Sequence, residues 1–472
     1  MIKHVSAYTT RKMIKGNSTM KKMLSIASVA LLAASSLIGC SSGQEAAKPA
    51  DKTAAQPGAP ASATAAPAAK EASKEEIVLK VGMWGENDSR KKILEAYSKK
   101  FTEQHPNIKV EFMLVPFADY QQKLSIMVAS KTAPDVVWMS DKMVPQFLEA
   151  GQLADISDIQ NDKNFDFADN IQPSFARLKK DGKIYGVPFL NPPKVIFFNK
   201  NLFKEKGLKT PLELYKEGNW TYDEFFKTAK ALTDSSKGVY GGYLITANGW
   251  KSWEDAYLDT FWAYGADFMD EAGAKFLLNS PEGEKSLQAI SDMIFKDQSH
   301  PKPGDQISFE GGKIGMSRQN YAYVNTARAV KDFEWDIAPM PRGTNKDAPA
   351  ATGLAAYSVM QDSKHKLEAI ELLKFMTSKE AMTEFSFMYV PNRSSVLASD
   401  ALTKGFESPT KEGIKASLID PMNGKLRAQN AHKNWQQIDV KVQTVLDMLY
   451  TKTYTVKDVL KKMEDEVTPL LK

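Results

Sequence analysis

Cys40 is the only thiol in 472 residues and the five histidines are scattered, so neither an internal disulfide nor a Cys/His zinc set can be assembled. Ser41 stands in the string Gly39-x-Ser41-x-Gly43, but a nucleophile elbow needs a strand before it and a helix after it, and here a greasy run leads into a polar one. Asp162-Lys163-Asn164-Phe165-Asp166 starts like a calcium loop, yet Phe167 stands where the glycine must be and Pro173 where the last ligand must be. There is no Ser/His/Asp or Cys/His arrangement, no Walker loop and no GxGxxG after a strand. Glu254-Asp255, or Asp267 with Asp270, could be offered as acid–base pairs, but carboxylates so close in sequence usually decorate a solvated helix face. Eight Trp and sixteen Tyr leave ample aromatic surface beside abundant carboxylates, amides and guanidinia. No cofactor and no metal is expected.

The lone thiol is explained by its neighbours. Lys21 and Lys22 precede residues 23–38, a run of sixteen apolar or small residues, the charged and apolar regions of an export signal. As a helix that run reaches about 24 Å, short of the ~30 Å hydrocarbon core. Leu37-Ile38-Gly39-Cys40 resembles the lipobox of bacterial lipoproteins, which implies cleavage before Cys40 and acylation of it, and two or more chains make a stable anchor. Residues 1–19 exceed what a signal needs, and Met20-Lys21-Lys22 reads as the true start. Removing residues 1–40 leaves 56 of the 62 basic side chains against 57 acidic ones, so the basic balance belongs to the signal and nothing points to nucleic acid.

Behind these residues stand the elements that must position them. Residues 41–76 contain no Val, Ile, Leu, Met, Phe, Tyr or Trp, so they cannot offset their ordering entropy and read as a disordered tether of roughly 30–36 Å. The remaining stretch, 77–472, exceeds what one core usually supports, which predicts two lobes. Strands are expected at 77–81, 108–114, 135–139, 336–338 and 354–360. Helices are expected at 89–105, 119–130, from Thr221-x-x-Glu224 onward, from Ser280-Pro281 onward, over 367–387 as one or two, and at 456–471. Strands separated by helices of this length imply an α/β fold with a mostly parallel sheet.

A series of short strings then resembles one family, in the family's order: Gly82-Met83-Trp84-Gly85, Tyr120-Gln121-Gln122-Lys123-Leu124, Ala133-Pro134-Asp135-Val136-Val137, Gly151-Gln152-Leu153-Ala154-Asp155, Tyr185-Gly186-Val187-Pro188 with Phe198-Asn199-Lys200, Asn219-Trp220-Thr221, Gly312-Lys313-Ile314-Gly315-Met316, Pro339-Met340-Pro341 and Pro391-Asn392-Arg393. They are similar to extracellular solute-binding protein family 1, the sugar receptors of ABC importers, to which maltose-binding protein is distantly related. The resemblance implies a hinge-connected, two-lobed, periplasmic-binding-protein-like fold of type II. On that pattern residues 1–39 are the signal and 40–76 the lipidated cysteine and tether; lobe 1 takes 77–190 plus 325–385, and lobe 2 takes 191–324 plus 386–472.

The resemblance also implies where ligand sits. Trp84 lies at the carboxyl end of the first strand, where open α/β sheets hold ligands, with Glu86 beside it. Asp141 follows the third strand, as a cleft residue or a helix cap. Asn191 falls at the hinge. Of Trp250 and Trp253, one is expected to stack on a sugar and the other to join the core. Arg318 and Tyr321 follow a strand near the cleft, with Tyr323 as an alternative platform. Arg393 reads as a late cleft residue or a salt bridge, and Trp435 as a cleft or core indole. Trp138, Trp220, Trp262 and Trp335 are assigned to the core. The expected protein is a non-enzymatic, monomeric substrate-binding lipoprotein. It binds a carbohydrate in the cleft, delivers it to ABC permease subunits, and is held on the outer face of the cell membrane through Cys40. Because Ser41 directs lipoproteins of double-membrane bacteria outward, a single-membrane host is implied. A membrane-anchored polysaccharide-processing enzyme and a receptor for a non-sugar solute are the rival readings.

Overall fold

The computed structural model describes residues 75–472 apart from 86–87, 191–192, 247–252, 345–349, 352, 423–425, 428–431 and 452. The signal, Cys40 and nearly all of the tether therefore lie outside the described residues. The chain begins with β1 (Ile77–Trp84), α1 (Asp88–Gln104), β2 (Ile108–Val115), α2 (Phe117–Ala129), β3 (Val136–Ser140), α3 (Val144–Glu149) and β4 (Val187–Leu190). It then crosses into a second lobe with β5 (Lys194–Asn199), α4 (Tyr222–Leu232), β6 (Tyr240–Tyr243), α5 (Trp253–Tyr264), α6 (Pro281–Phe295), β7 (Ile314–Asn320) and β8 (Trp335–Pro339). It returns to the first lobe for β9 (Ala355–Val359), α7 (Lys366–Met376) and α8 (Lys379–Glu384), and finishes on the second with α9 (Trp435–Tyr450) and α10 (Val456–Val467).

The first sheet has the order β2-β1-β3-β9-β4 and the second β8-β5-β7-β6. β1, β2 and β3 run parallel, in register from Ile77 opposite Ile108 to Trp84 opposite Val115. Their carboxyl ends therefore share one edge. β9 runs antiparallel to both β3 and β4. The central β3, Val-Val-Trp-Met-Ser, lies between β1 and β9 and is buried throughout, whereas the outer β2 mixes buried with exposed positions. In the second lobe an added Cβ at Gly241 would collide with the backbone oxygen of Ala229, so Tyr-Gly-Gly-Tyr in β6 lets α4 lie directly on the strand. Thr221 caps α4 through the Glu224 amide, and a full capping box of Thr455 and Asp458 opens α10.

Both expected lobes are present, but the return crossing falls elsewhere than residue 325. β8 pairs along its length with β5, and Val324, Ala327, Trp335 and Ile337 share a core with Val195 and Phe197. The chain thus leaves the second lobe between Pro339 and Ala355. The third crossing is a strip rather than a point: Met388, Tyr389 and Val396 pack into the first core while Val390 and Leu397 pack into the second-lobe core.

Candidate functional site

The shared edge of β1, β2 and β3 is where the side chains with functional chemistry gather. Trp84 ends β1 half-buried, held edge-on by Phe117 at 5.7 Å, Tyr120 at 5.4 Å and Trp138 at 5.1 Å between ring centroids. Tyr120 is fixed in turn by donating its hydroxyl to the Gly82 carbonyl at 2.9 Å, which ties α2 to β1. Phe117 opens α2 directly after β2 and keeps 51% of its surface exposed. Two rings at this edge, one gripped and one open, form an aromatic step. β3 runs out into Asp141 and Lys142, and the Asp141 carboxylate accepts the Lys142 amide at 3.1 Å. Arg177 comes from a short helical turn over Gln172–Leu178 that packs against α3 and β4, anchored by the buried Phe175 and Leu178.

The second lobe answers with charge. Glu254, in the first turn of α5, lies 2.5 Å from the Lys142 ammonium, so the lobes touch through an ion pair. Glu254 is buried, and burial pushes its carboxyl from the usual 4.5 up to about 7; Lys142 opposes the shift while Asp141 and Asp439 add to it. Arg427 pairs with Asp267 at 2.7 Å and lies 4.7 Å over the Trp262 ring. Arg177 is close enough to Asp141, Glu254 and Arg427 to feel all three, and burial draws its guanidinium below its ordinary range. The seam between the lobes is thus a band of alternating charge beside an aromatic step, able to take both the polar rim and the apolar face of a ligand.

Of the residues expected from sequence, Trp84 and Asp141 stand on this edge. Glu86, Asn191 and Trp250 lie outside the described residues. The other five are positioned differently from their cleft readings. Trp253 is fully buried, with its ring 4.7 Å from Phe268 and 6.0 Å from Trp435, and Trp435 is 6% exposed; these rings pack on each other because both helices that carry them turn their apolar faces inward. Tyr321 is fully buried among Phe197, Val324 and Ile337. Arg318 spends its charge on Asp259 at 2.6 Å, both buried. Arg393 is 1% exposed and donates to the carbonyls of Thr377 at 2.9 Å, Phe165 at 2.8 Å and Asp166 at 3.1 Å, so it fastens the third crossing to the first lobe. Glu254, which sequence spacing places on a solvated face, is instead buried against the opposite lobe. Phe117, Lys142, Arg177 and Arg427 escaped sequence reasoning; only Phe117, directly after a strand and a proline, carried a local signal. Trp138, Trp220, Trp262 and Trp335 are all buried.

Comparison with known proteins bears on this geometry. A family model described as bacterial extracellular solute-binding protein matches residues 85–383. The chain belongs to this family. The solute-binding protein is 25% identical over 284 residues to the diacetylchitobiose binding protein DasA of Streptomyces coelicolor, covering 57% of this chain and 62% of that one. It is 23% identical over 354 residues to the multiple sugar-binding protein of Streptococcus mutans, covering 70% and 79%. Among solved structures, the ABC substrate-binding protein Lmo0181 of Listeria monocytogenes, in complex with cycloalternan, superposes with a TM-score of 0.72 at 22% identity over 84% of this chain and 99% of that one. Maltose-bound MalE3 of T. maritima superposes at 0.70 with 20% identity, covering 84% and 100%. This solute-binding protein therefore has their two-lobed α/β fold. Its family and these neighbours are binding proteins rather than enzymes. Among the described residues no helix is long and apolar enough to cross a membrane, and no His/Cys/Asp/Glu group could hold a metal ion.

Proposed function

We propose that this solute-binding protein is the receptor of an ABC importer, that it captures an oligosaccharide between its lobes, and that it presents the closed complex to a membrane permease. The observation that carries this reading is the seam itself: the Trp84–Phe117 step, the Asp141–Lys142 turn and Arg177 on one lobe face Glu254 and Arg427 on the other. Ligand touching both lobes favours the closed population, and a change of population is what a permease can read. Relatives named for diacetylchitobiose and multiple sugars support a carbohydrate. The lipobox-like Leu37-Ile38-Gly39-Cys40 supports anchoring through Cys40 on the outer face of the membrane, with residues 41–76 as a spacer. We take the receptor to act as a monomer.

Isothermal titration against a panel of neutral and acidic oligosaccharides, run beside a chromatographic test for ligand turnover, tests the reading. Saturable binding with the ligand recovered intact supports a receptor. Product formation would replace it with an enzyme, and binding of peptides or amino acids alone would replace the sugar. Palmitate labelling of cells tests the anchor separately: label is expected on the wild type and absent from Cys40→Ala, with that variant released into the medium.

A further inference from the structure

Three cations of described residues meet at the seam, and two of them are already committed. Lys142 is paired with Glu254 at 2.5 Å. Arg427 is paired with Asp267 at 2.7 Å and covered on one face by Trp262. Arg177 is the third. Among the described residues it makes no hydrogen bond and no ion pair, although it is half-buried. The two carboxylates nearest to it in effect are already engaged, Glu254 by the Lys142 ammonium and Asp141 by the Lys142 amide.

A guanidinium partly withdrawn from water needs compensation, and an anion compensates more fully than a hydroxyl because charge-assisted hydrogen bonds are shorter and stronger. Its planar fork matches the two oxygens of a carboxylate in particular, which a lysine in the same place could not do. The turn that carries it is fixed rather than loose, since the adjacent Phe175 and Leu178 are fully buried and the turn packs on α3 and β4. The aromatic step of Trp84 and Phe117 lies at the carboxyl ends of β1 and β2, and Asp141, whose charge Arg177 feels, follows the neighbouring β3, so a ligand several sugar rings long can run from the ring faces toward the cation.

We infer that the ligand is an acidic oligosaccharide, one uronate carboxylate of which is received by the Arg177 guanidinium while a ring lies against the Trp84–Phe117 step. The inference rests on the saccharide-receptor reading above and narrows it to a chemical class. Neutralising the carboxylate must cost affinity, and so must removing the fork.

The test uses full-length wild-type protein and trimers of galacturonate, glucuronate and mannuronate, each beside its own methyl ester, with neutral trisaccharides and a sugar phosphate as further arms. At least one acidic trimer is expected to bind about tenfold or more tightly than its ester, with a preference that shrinks as salt is raised. Arg177→Met should erase that preference, bringing the acid's affinity down to that of its ester, and Arg177→Lys should restore part of it. Should Arg177→Met fail to fold, the ester comparison on wild type and the lysine variant decide the matter. Equal binding of acid and ester, or a neutral trisaccharide as the tightest ligand, overturns the inference and leaves the sugar receptor standing. A sugar phosphate as the tightest ligand overturns the carboxylate assignment. Absence of binding to every saccharide overturns the receptor reading and this inference together.

Discussion

At the scale of single residues, the two kinds of aromatic side chain in this protein make opposite predictions. Phe117 is half exposed and touches Trp84 by its edge, so Phe117→Ala should leave stability within about 0.5 kcal/mol and cost about 0.5–1.5 kcal/mol of ligand binding by titration. Trp253 is fully buried against Phe268 and Trp435, so Trp253→Ala should cost about 3–5 kcal/mol in urea unfolding. A Phe117 variant with full affinity, or a Trp253 variant of normal stability, would reverse these roles. Sequence reading placed Trp84 at the end of a first parallel strand, and there it stands, while of the indole pair expected to divide between cleft and core Trp253 is the core member. Arg177 and Arg427 carried no local signal at all, since what distinguishes them is the seam that folding brings to them from opposite lobes.

At the scale of elements, the opening strands and helices and the capped starts at Thr221 and Ser280 were legible, because hydrophobic periodicity and caps are local, whereas β4, β5, β6, α3 and α9 were not anticipated. The assignment of β8 to a sheet was not legible either. Its five residues are all buried, which removes the alternation that would show a face, and its partner β5 lies more than a hundred residues earlier. The strip after α8 shows the same difficulty, since Arg393 looks like a surface or cleft cation until its partners are seen. It joins residues 165–169, Thr377 and the third crossing into one unit, with Asp169 at 3.4 Å as its counter-ion. Arg393→Met takes away the counter-ion of Asp169, which keeps only its hydrogen bonds from Ser395, and the guanidinium donors to three carbonyls, and the expected cost is about 3–5 kcal/mol in urea unfolding. Ligand affinity, measured on the folded fraction by titration in the absence of denaturant, should stay within twofold, because the side chain points away from the seam into the first lobe's own packing; a loss of affinity without a loss of stability would return Arg393 to the cleft.

At the scale of the whole molecule, the ion pair of Lys142 with Glu254 makes the contact between lobes sensitive to pH. The groups that act on Glu254 are Lys142, which favours its charge, and burial, Asp141 and Asp439, which oppose it; burial is the largest, and the carboxyl titrates near 7 rather than 4.5. Below about pH 4.5 the carboxyl is protonated in both the folded and the unfolded chain, and its stabilising contribution is fully present. Between there and pH 7 the folded protein holds a proton that the unfolded chain has released, so the contribution falls as pH rises, by about 3 kcal/mol over the whole interval. Glu254→Gln keeps the shape and removes the titration. Subtracting its unfolding free energy from that of the wild type at each pH from 5 to 8.5 cancels every other titrating group. The difference should move against the wild type as pH rises and level off above 8. A flat difference would mean that Glu254 titrates as it does in the unfolded chain, so that burial does not outweigh the Lys142 pair in the folded protein.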